Sequence, residues 1–130
     1  MKNSLNKISS NRGQALVEFA LVLMLFLVLV FGITEFGRYL YLKNTATQGA
    51  RAGARVAAVT TNWAQKAAIF SAATSLIHGA TAVIEPPYDS TTPSTGASVT
   101  VTITKPFASI VPNIITTPTS VTASATMRYE

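Results

Sequence analysis

The chain is 130 residues long and contains no cysteine, so neither a disulfide framework nor a cysteine-ligated metal site is open to it. Ten Lys and Arg against five Asp and Glu give a net charge of +5. The basic residues are scattered and no basic and aromatic cluster accompanies them, which argues against nucleic acid and leaves a membrane surface as the simpler partner.

A chain of this length supports one small domain, and a single hydrophobic run takes part of it. From Phe19 to Ile33 the sequence FALVLMLFLVLVFGI holds no charged side chain. Counted from Ala15, the stretch covers about 19 residues, or roughly 28 Å of helix, which matches a hydrocarbon core. Between Phe19 and Ile33 twelve side chains are Leu, Ile, Val or Phe. At about 0.3 to 0.6 kcal/mol each they contribute roughly 5 kcal/mol, more than the roughly 3 kcal/mol that one ionised group costs at mid-membrane. Glu18, near the start of the stretch, is therefore tolerated.

Two ordinary readings of residues 1–33 compete. A cleaved secretory signal would join the basic start (Lys2, Lys7, Arg12) to about 7 to 15 apolar residues ending at a small-x-small site. Here the run is too long, and the nearest Ala and Gly cluster, GARAGAR, lies far downstream and is basic. The other reading is an uncleaved signal anchor with a cytoplasmic amino terminus. Lys2, Lys7 and Arg12 on one side balance Arg38, Lys43 and Arg51 on the other, so that orientation rests on the absence of acids before Glu18.

A third reading accounts for the carboxylate. A short leader ending in Gly13, then a helix apolar from its first turn with Glu18 as its fifth residue, resembles the processing signal of type IV pilin-like proteins. That resemblance implies cleavage by an aspartic prepilin peptidase between Gly13 and Gln14. A glycine before the bond suits a protease cleft, because it has no β-carbon to hinder an extended backbone. The resemblance also implies that Glu18 pairs with the amino-terminal ammonium of a neighbouring subunit, which fixes register in a low-dielectric bundle.

The longer segment RGQALVEFALVLMLFLVLVFGITEFGRYLY resembles the opening of the TadE-like family, small pseudopilins of tight-adherence (Flp) pilus systems. It carries the G-x-A-x-V-E-F-A motif, the apolar run, and an exit supplied by Gly32, Glu35, Gly37 and Arg38. The tail VTASATMRYE is similar to the alternating strand with which many members finish. The chain departs from the pilin pattern at Gln14, where many pilins carry phenylalanine or another apolar residue, and an amino-terminal glutamine can cyclise with loss of its amine.

The family resemblance implies a leader over 1–13, a transmembrane part over 14–34 and an exported domain over 35–130. It implies a single-pass protein of the bacterial inner membrane, amino terminus cytoplasmic, with incorporation into an extracellular pilus as a second location. The implied role is a minor component or assembly factor of a pilus that serves adhesion or secretion. Its implied partners are the prepilin peptidase, other pilins and pseudopilins, the assembly platform and membrane lipid. A major pilin is disfavoured, since major subunits of this pilus type are much shorter. The alternative from a different class is an unprocessed, signal-anchored envelope protein whose small exported domain binds a partner.

Beyond the membrane the helical pattern continues without proline to about Val59, for roughly 70 Å from Gln14. Ala46, Gly49, Ala50, Gly53, Ala54 and Ala57 recur at spacings of three and four and form one small-residue stripe. Gly49 and Gly53 make a GxxxG, but outside the apolar span the stripe is expected to seat the helix against its own domain. Arg51 and Arg55 lie on another face, toward solvent or headgroups. A second helix is expected from a cap at Asn62, with Gln65 three residues later, to Gly79. Its apolar face is Ile69, Phe70, Ala73, Leu76 and Ile77, and Trp63 lies in its first turn.

The segment from Ala80 to Ser98 is rich in Pro, Ser and Thr and reads as a surface loop around Val83 and Ile84. SVTVTITK alternates through Val99, Val101 and Ile103 until Pro106, and VTASATMRY through Val121, Ala123, Ala125, Met127 and Tyr129. The two are expected to pair antiparallel with a third partner near Val83, since a lone hairpin is marginal. The fold class is therefore α+β, a second helix and small antiparallel sheet packed on the upper half of a long helix.

Catalysis and cofactors find no support. His78 is the single histidine and has no cysteine or carboxylate at ligand spacing; Glu85 and Asp89 flank a proline turn; no G-x-S-x-G turn or phosphate loop is present.

Overall fold

The structure is a computed structural model that describes residues 3–60, 66–85, 94–110 and 118–130, with side chains from residue 13 onward. Helix α1 spans Asn3–Val59 and α2 spans Lys66–Thr74; strands β1, β2 and β3 span Thr81–Glu85, Ser98–Pro106 and Ser120–Arg128. The architecture is α+β.

No proline interrupts α1, so its 57 residues run as one helix. It begins before Gln14: residues 3–13 of the expected leader continue the same helix instead of standing apart from it. From Leu16 to Phe31 every residue but Glu18 is apolar and all are exposed, with Leu16, Phe19, Leu21, Met24 and Leu25 among the bare side chains. The upper half is different. There Ala46, Ala50, Ala54 and Ala57 are fully buried, because the small-residue stripe is where the domain sits.

Helix α2 crosses that stripe, bringing Ile69 and Ala73 into the core. Regular helix ends at Thr74, five residues before the expected stop at Gly79. The chain then turns through Ile77 N–H to Thr74 O at 3.0 Å and Ala80 N–H to Ile77 O at 3.4 Å. Gly79, at φ 70°, redirects it into β1, a backbone conformation that favours glycine. Losing helical register after Thr74 leaves Leu76 exposed, although the pattern placed it on the buried face; Ile77 stays buried. The carbonyl of His78 accepts a bond from Lys105 Nζ at 2.6 Å. The expected cap at Asn62 and Gln65, Trp63 and Asp89 lie outside the described residues.

The sheet has the order β1-β2-β3, antiparallel throughout. Ile84 pairs with Val101, and Val101 with Ala125, so the partner expected near Val83 is β1. Alternation sends Val99, Val101, Ile103 and Val121 onto the helices and the threonines outward, where Thr100 and Thr126 hydroxyls meet at 2.8 Å. The C-terminal end is tied to the top of α1: Tyr129 Oη donates to Thr60 O at 2.9 Å, and Glu130 N–H to Ala58 O at 3.1 Å.

Candidate processing and assembly site

The residues singled out by sequence fall into three groups along α1, and the structure does not bring the three together. Gly13, Gln14 and Glu18 lie at the lower end, on exposed helix. Nothing stands within 4 Å of where a β-carbon at Gly13 would lie. Among the described residues no side chain forms an ion pair with Glu18. Gln14 and Glu18 are four residues apart, so they share one face and are separated by about 6 Å of rise.

The exit group is built differently. Glu35 is 3% exposed, the single buried charged residue among those described. Its Oε1 accepts the backbone N–H of Ile110 at 3.2 Å, and its Oε2 receives Arg38 Nη1 at 3.1 Å. Arg38 also donates to Ala108 O at 3.3 Å and lies over the Phe107 ring, 5.2 Å from its centroid. Tyr39 meets the same ring edge-on at 5.8 Å. One turn of α1 therefore holds the chain leaving β2, Phe107–Ile110, by a carboxylate, a guanidinium and a ring. Gly37 takes no part: it is exposed, with open space around a β-carbon.

The partners at Phe107, Ala108 and Ile110 had no signal in the sequence. PFASIVPN reads as a generic connection, and what recruits it is a carboxylate 75 residues away. The third group, Gly49 and Gly53, is the crossing point of α2. A β-carbon at Gly49 would overlap Ala73 O, and one at Gly53 would lie 2.7 Å from Ala73 Cβ. This GxxxG serves the domain's own packing, as expected.

Among the described residues no group of three His, Cys, Asp or Glu side chains is placed to hold a metal. Among the described residues one helix is long and apolar enough to cross a membrane, with none of its most apolar window buried. That window, bare on every side, is consistent with membrane anchoring.

The family model described as TadE-like protein matches residues 13–55. No curated protein and no solved structure matches the chain. The matched segment starts at Gly13, covers the apolar half of α1 and the Glu35–Arg38 turn, and ends within the small-residue stripe, so it contains Gly13, Gln14, Glu18, Glu35, Gly37, Arg38, Gly49 and Gly53 but not their partners at Ala73 and Phe107–Ile110. Over that segment, about a third of the chain, the protein is similar to the TadE-like family of tight-adherence pilus systems.

Proposed function

We propose that the chain is a pseudopilin precursor, cut by a prepilin peptidase between Gly13 and Gln14 and then used as a minor component or assembly factor of a tight-adherence pilus. The observation that carries this reading is Glu18, a carboxylate on the bare apolar half of α1 with no ion pair among the described residues.

In the uncut chain Glu18 lies in mid-helix, since α1 begins at Asn3. Cutting before Gln14 creates a new helix start with an ammonium and free backbone N–H groups, and Glu18 is then next to its first turn. Both the dipole and the amine favour a carboxylate there. In a bundle of such helices the same amine is the natural partner of a neighbour's Glu18, and pairing lifts the cost of an isolated charge in an apolar setting. Gly13 is also a weak point of the helix, because glycine costs about 1 kcal/mol relative to alanine and yields more readily to the extended form a protease binds.

On this reading the leader is 1–13, the amino terminus is cytoplasmic and the domain on the upper half of α1 is exported. The partners are the peptidase, other pilins and pseudopilins, the assembly platform and lipid. The chemistry is done on the chain and not by it.

Co-expression with a prepilin peptidase tests the proposal. The wild-type chain is expected to lose the mass of residues 1–13, and Gly13→Ala to keep it. Equal masses would favour the unprocessed, signal-anchored protein instead. The open space around Gly13 means that the substitution disturbs no packing, so its effect reads the requirement for glycine at the cut, in the cleft and in the backbone together.

A further inference from the structure

The apolar surface of α1 does not stop at Ile33. On the side turned away from the domain the exposed residues run Ile33, Phe36, Leu40 and Tyr41, and the next ones, Asn44 and Gln48, are polar. Spacings of three and four put them on one face, continuous with the bare lower half. Phe36 is 63% and Tyr41 69% exposed, beyond the point at which the hydropathy of the run suggests that the lipid ends.

The polar side chains at 34, 35 and 38 are satisfied from within the chain. Thr34 Oγ1 donates to Val30 O at 2.9 Å. Glu35 takes Ile110 N–H and Arg38, and Arg38 takes Ala108 O as well. An outer face that is apolar, over polar groups already partnered inside, meets the condition that hydrocarbon imposes on a segment. Water imposes no such condition.

We infer that the bilayer covers α1 as far as Tyr41, so that the foot of the domain, the turn Phe107–Ile110 with the exposed Ile110 side chain, rests in the leaflet on the domain's side. Phe19 to Tyr41 is about 23 residues, roughly 34 Å of helix, which fills a core of about 30 Å and enters the interface. Tyr41 then lies where aromatic rings with a polar tip collect, and Glu18 lies at the opposite boundary instead of inside the hydrocarbon. Because Ile110 N–H is bonded to Glu35, two residues beyond Ile33, the turn is held at the membrane by the same contact that closes the fold. This inference rests on the membrane-insertion part of the proposed function and not on cleavage.

The chain has no cysteine, so single-cysteine variants report one position each. Leu27→Cys, Leu40→Cys, Ile110→Cys and Val83→Cys, all at exposed positions, are labelled with a fluorophore. The full chain is then placed in phosphatidylethanolamine and phosphatidylglycerol vesicles. Acyl-brominated lipid is expected to quench the labels at 27, 40 and 110 at least twofold more than the label at 83, on the distal strand β1, which aqueous iodide quenches instead. If 40 and 110 follow 83 while 27 is quenched by lipid, the inference is overturned and insertion stands. If 27 also escapes the lipid, insertion itself fails. Label-to-label coupling at 40 without lipid quenching would put a second copy on this face and would equally overturn the inference.

Discussion

The carboxylate of Glu35 accepts the backbone N–H of Ile110 at 3.2 Å, joining α1 to a chain segment 75 residues later. The bond is almost fully shielded from water, whereas the Arg38 side chain on the same carboxylate is 39% exposed. Removing the carboxylate orphans a backbone donor and a guanidinium together. Removing the guanidinium leaves the buried carboxylate without its cation. Glu35→Ala and Arg38→Ala are therefore each expected to cost about 2 to 3 kcal/mol. Glu35→Gln, whose amide oxygen still accepts the Ile110 N–H and which carries no charge to strand, should cost less than either. Urea unfolding of the full chain in detergent, followed by the signal of the sheet, measures all three; a loss for Glu35→Gln larger than that for Arg38→Ala would contradict the ordering.

Three glycines of α1 that look alike in sequence should respond differently to alanine. At Gly49 the new methyl meets the backbone oxygen of Ala73, which can move only with α2; at Gly53 it meets the Ala73 methyl and Val101 Cγ1, at 2.7 and 3.1 Å. At Gly37 it meets nothing within 4 Å. Overpacking costs about 1 to 3 kcal/mol, against a gain of about 1 in helix preference. Gly49→Ala should thus be the most destabilising, Gly53→Ala less so, and Gly37→Ala neutral or stabilising by up to about 1 kcal/mol. The same unfolding measurement ranks them. A destabilised Gly37→Ala would show that the α1 surface is packed where the fold leaves it open.

The two faces of the sheet offer an internal control. Ile103 is fully buried against the helices and reaches Gly49, while Val83 on the neighbouring strand is 56% exposed. Ile103→Ala should cost about 2 to 4 kcal/mol through lost burial and a cavity, and Val83→Ala less than about 0.5. Thermal unfolding of the two variants in parallel checks the difference, and comparable shifts would contradict the strand register.

Periodicity made most of this fold legible. The stripe from Ala46 to Ala57 and the alternation through Val99 to Ile103 each carry a spacing that only one element satisfies, and each element forms where that spacing lies. The end of α2 was less legible, because Ser75, Leu76 and Ile77 suit a helix by propensity. The need to turn into β1 at Gly79 overrides it. The Glu35 contact was half legible. A charged pair just past an apolar run marked Glu35 and Arg38, but the other half of the contact is backbone, and a backbone N–H leaves no trace in residue type. The continuation of the apolar face through Phe36, Leu40 and Tyr41 was hidden for a related reason. Glu35 and Arg38 interrupt the hydropathy there, and only the fold shows that Glu35 is buried and that Arg38 folds back onto it.

Glu18 gives the sharpest separation between folding and assembly. It lies far from the core, about 25 Å of helix below Glu35, and forms no ion pair among the described residues. Glu18→Ala should therefore leave the unfolding transition within about 0.5 kcal/mol of wild type, as substitutions away from packed or paired groups do. If its carboxylate pairs with a neighbour's amine after cleavage, the same variant should be processed normally yet co-purify poorly with the other pilus components. Normal assembly of Glu18→Ala would remove the pairing role while leaving cleavage untouched. Intact mass of the mature chain supplies the complementary reading at Gln14. A mass short by one ammonia means that the glutamine has cyclised and the amine is gone. In a mixture the cyclised form should then be depleted from assembled material relative to the membrane pool, because Glu18 of a neighbour finds no cation there.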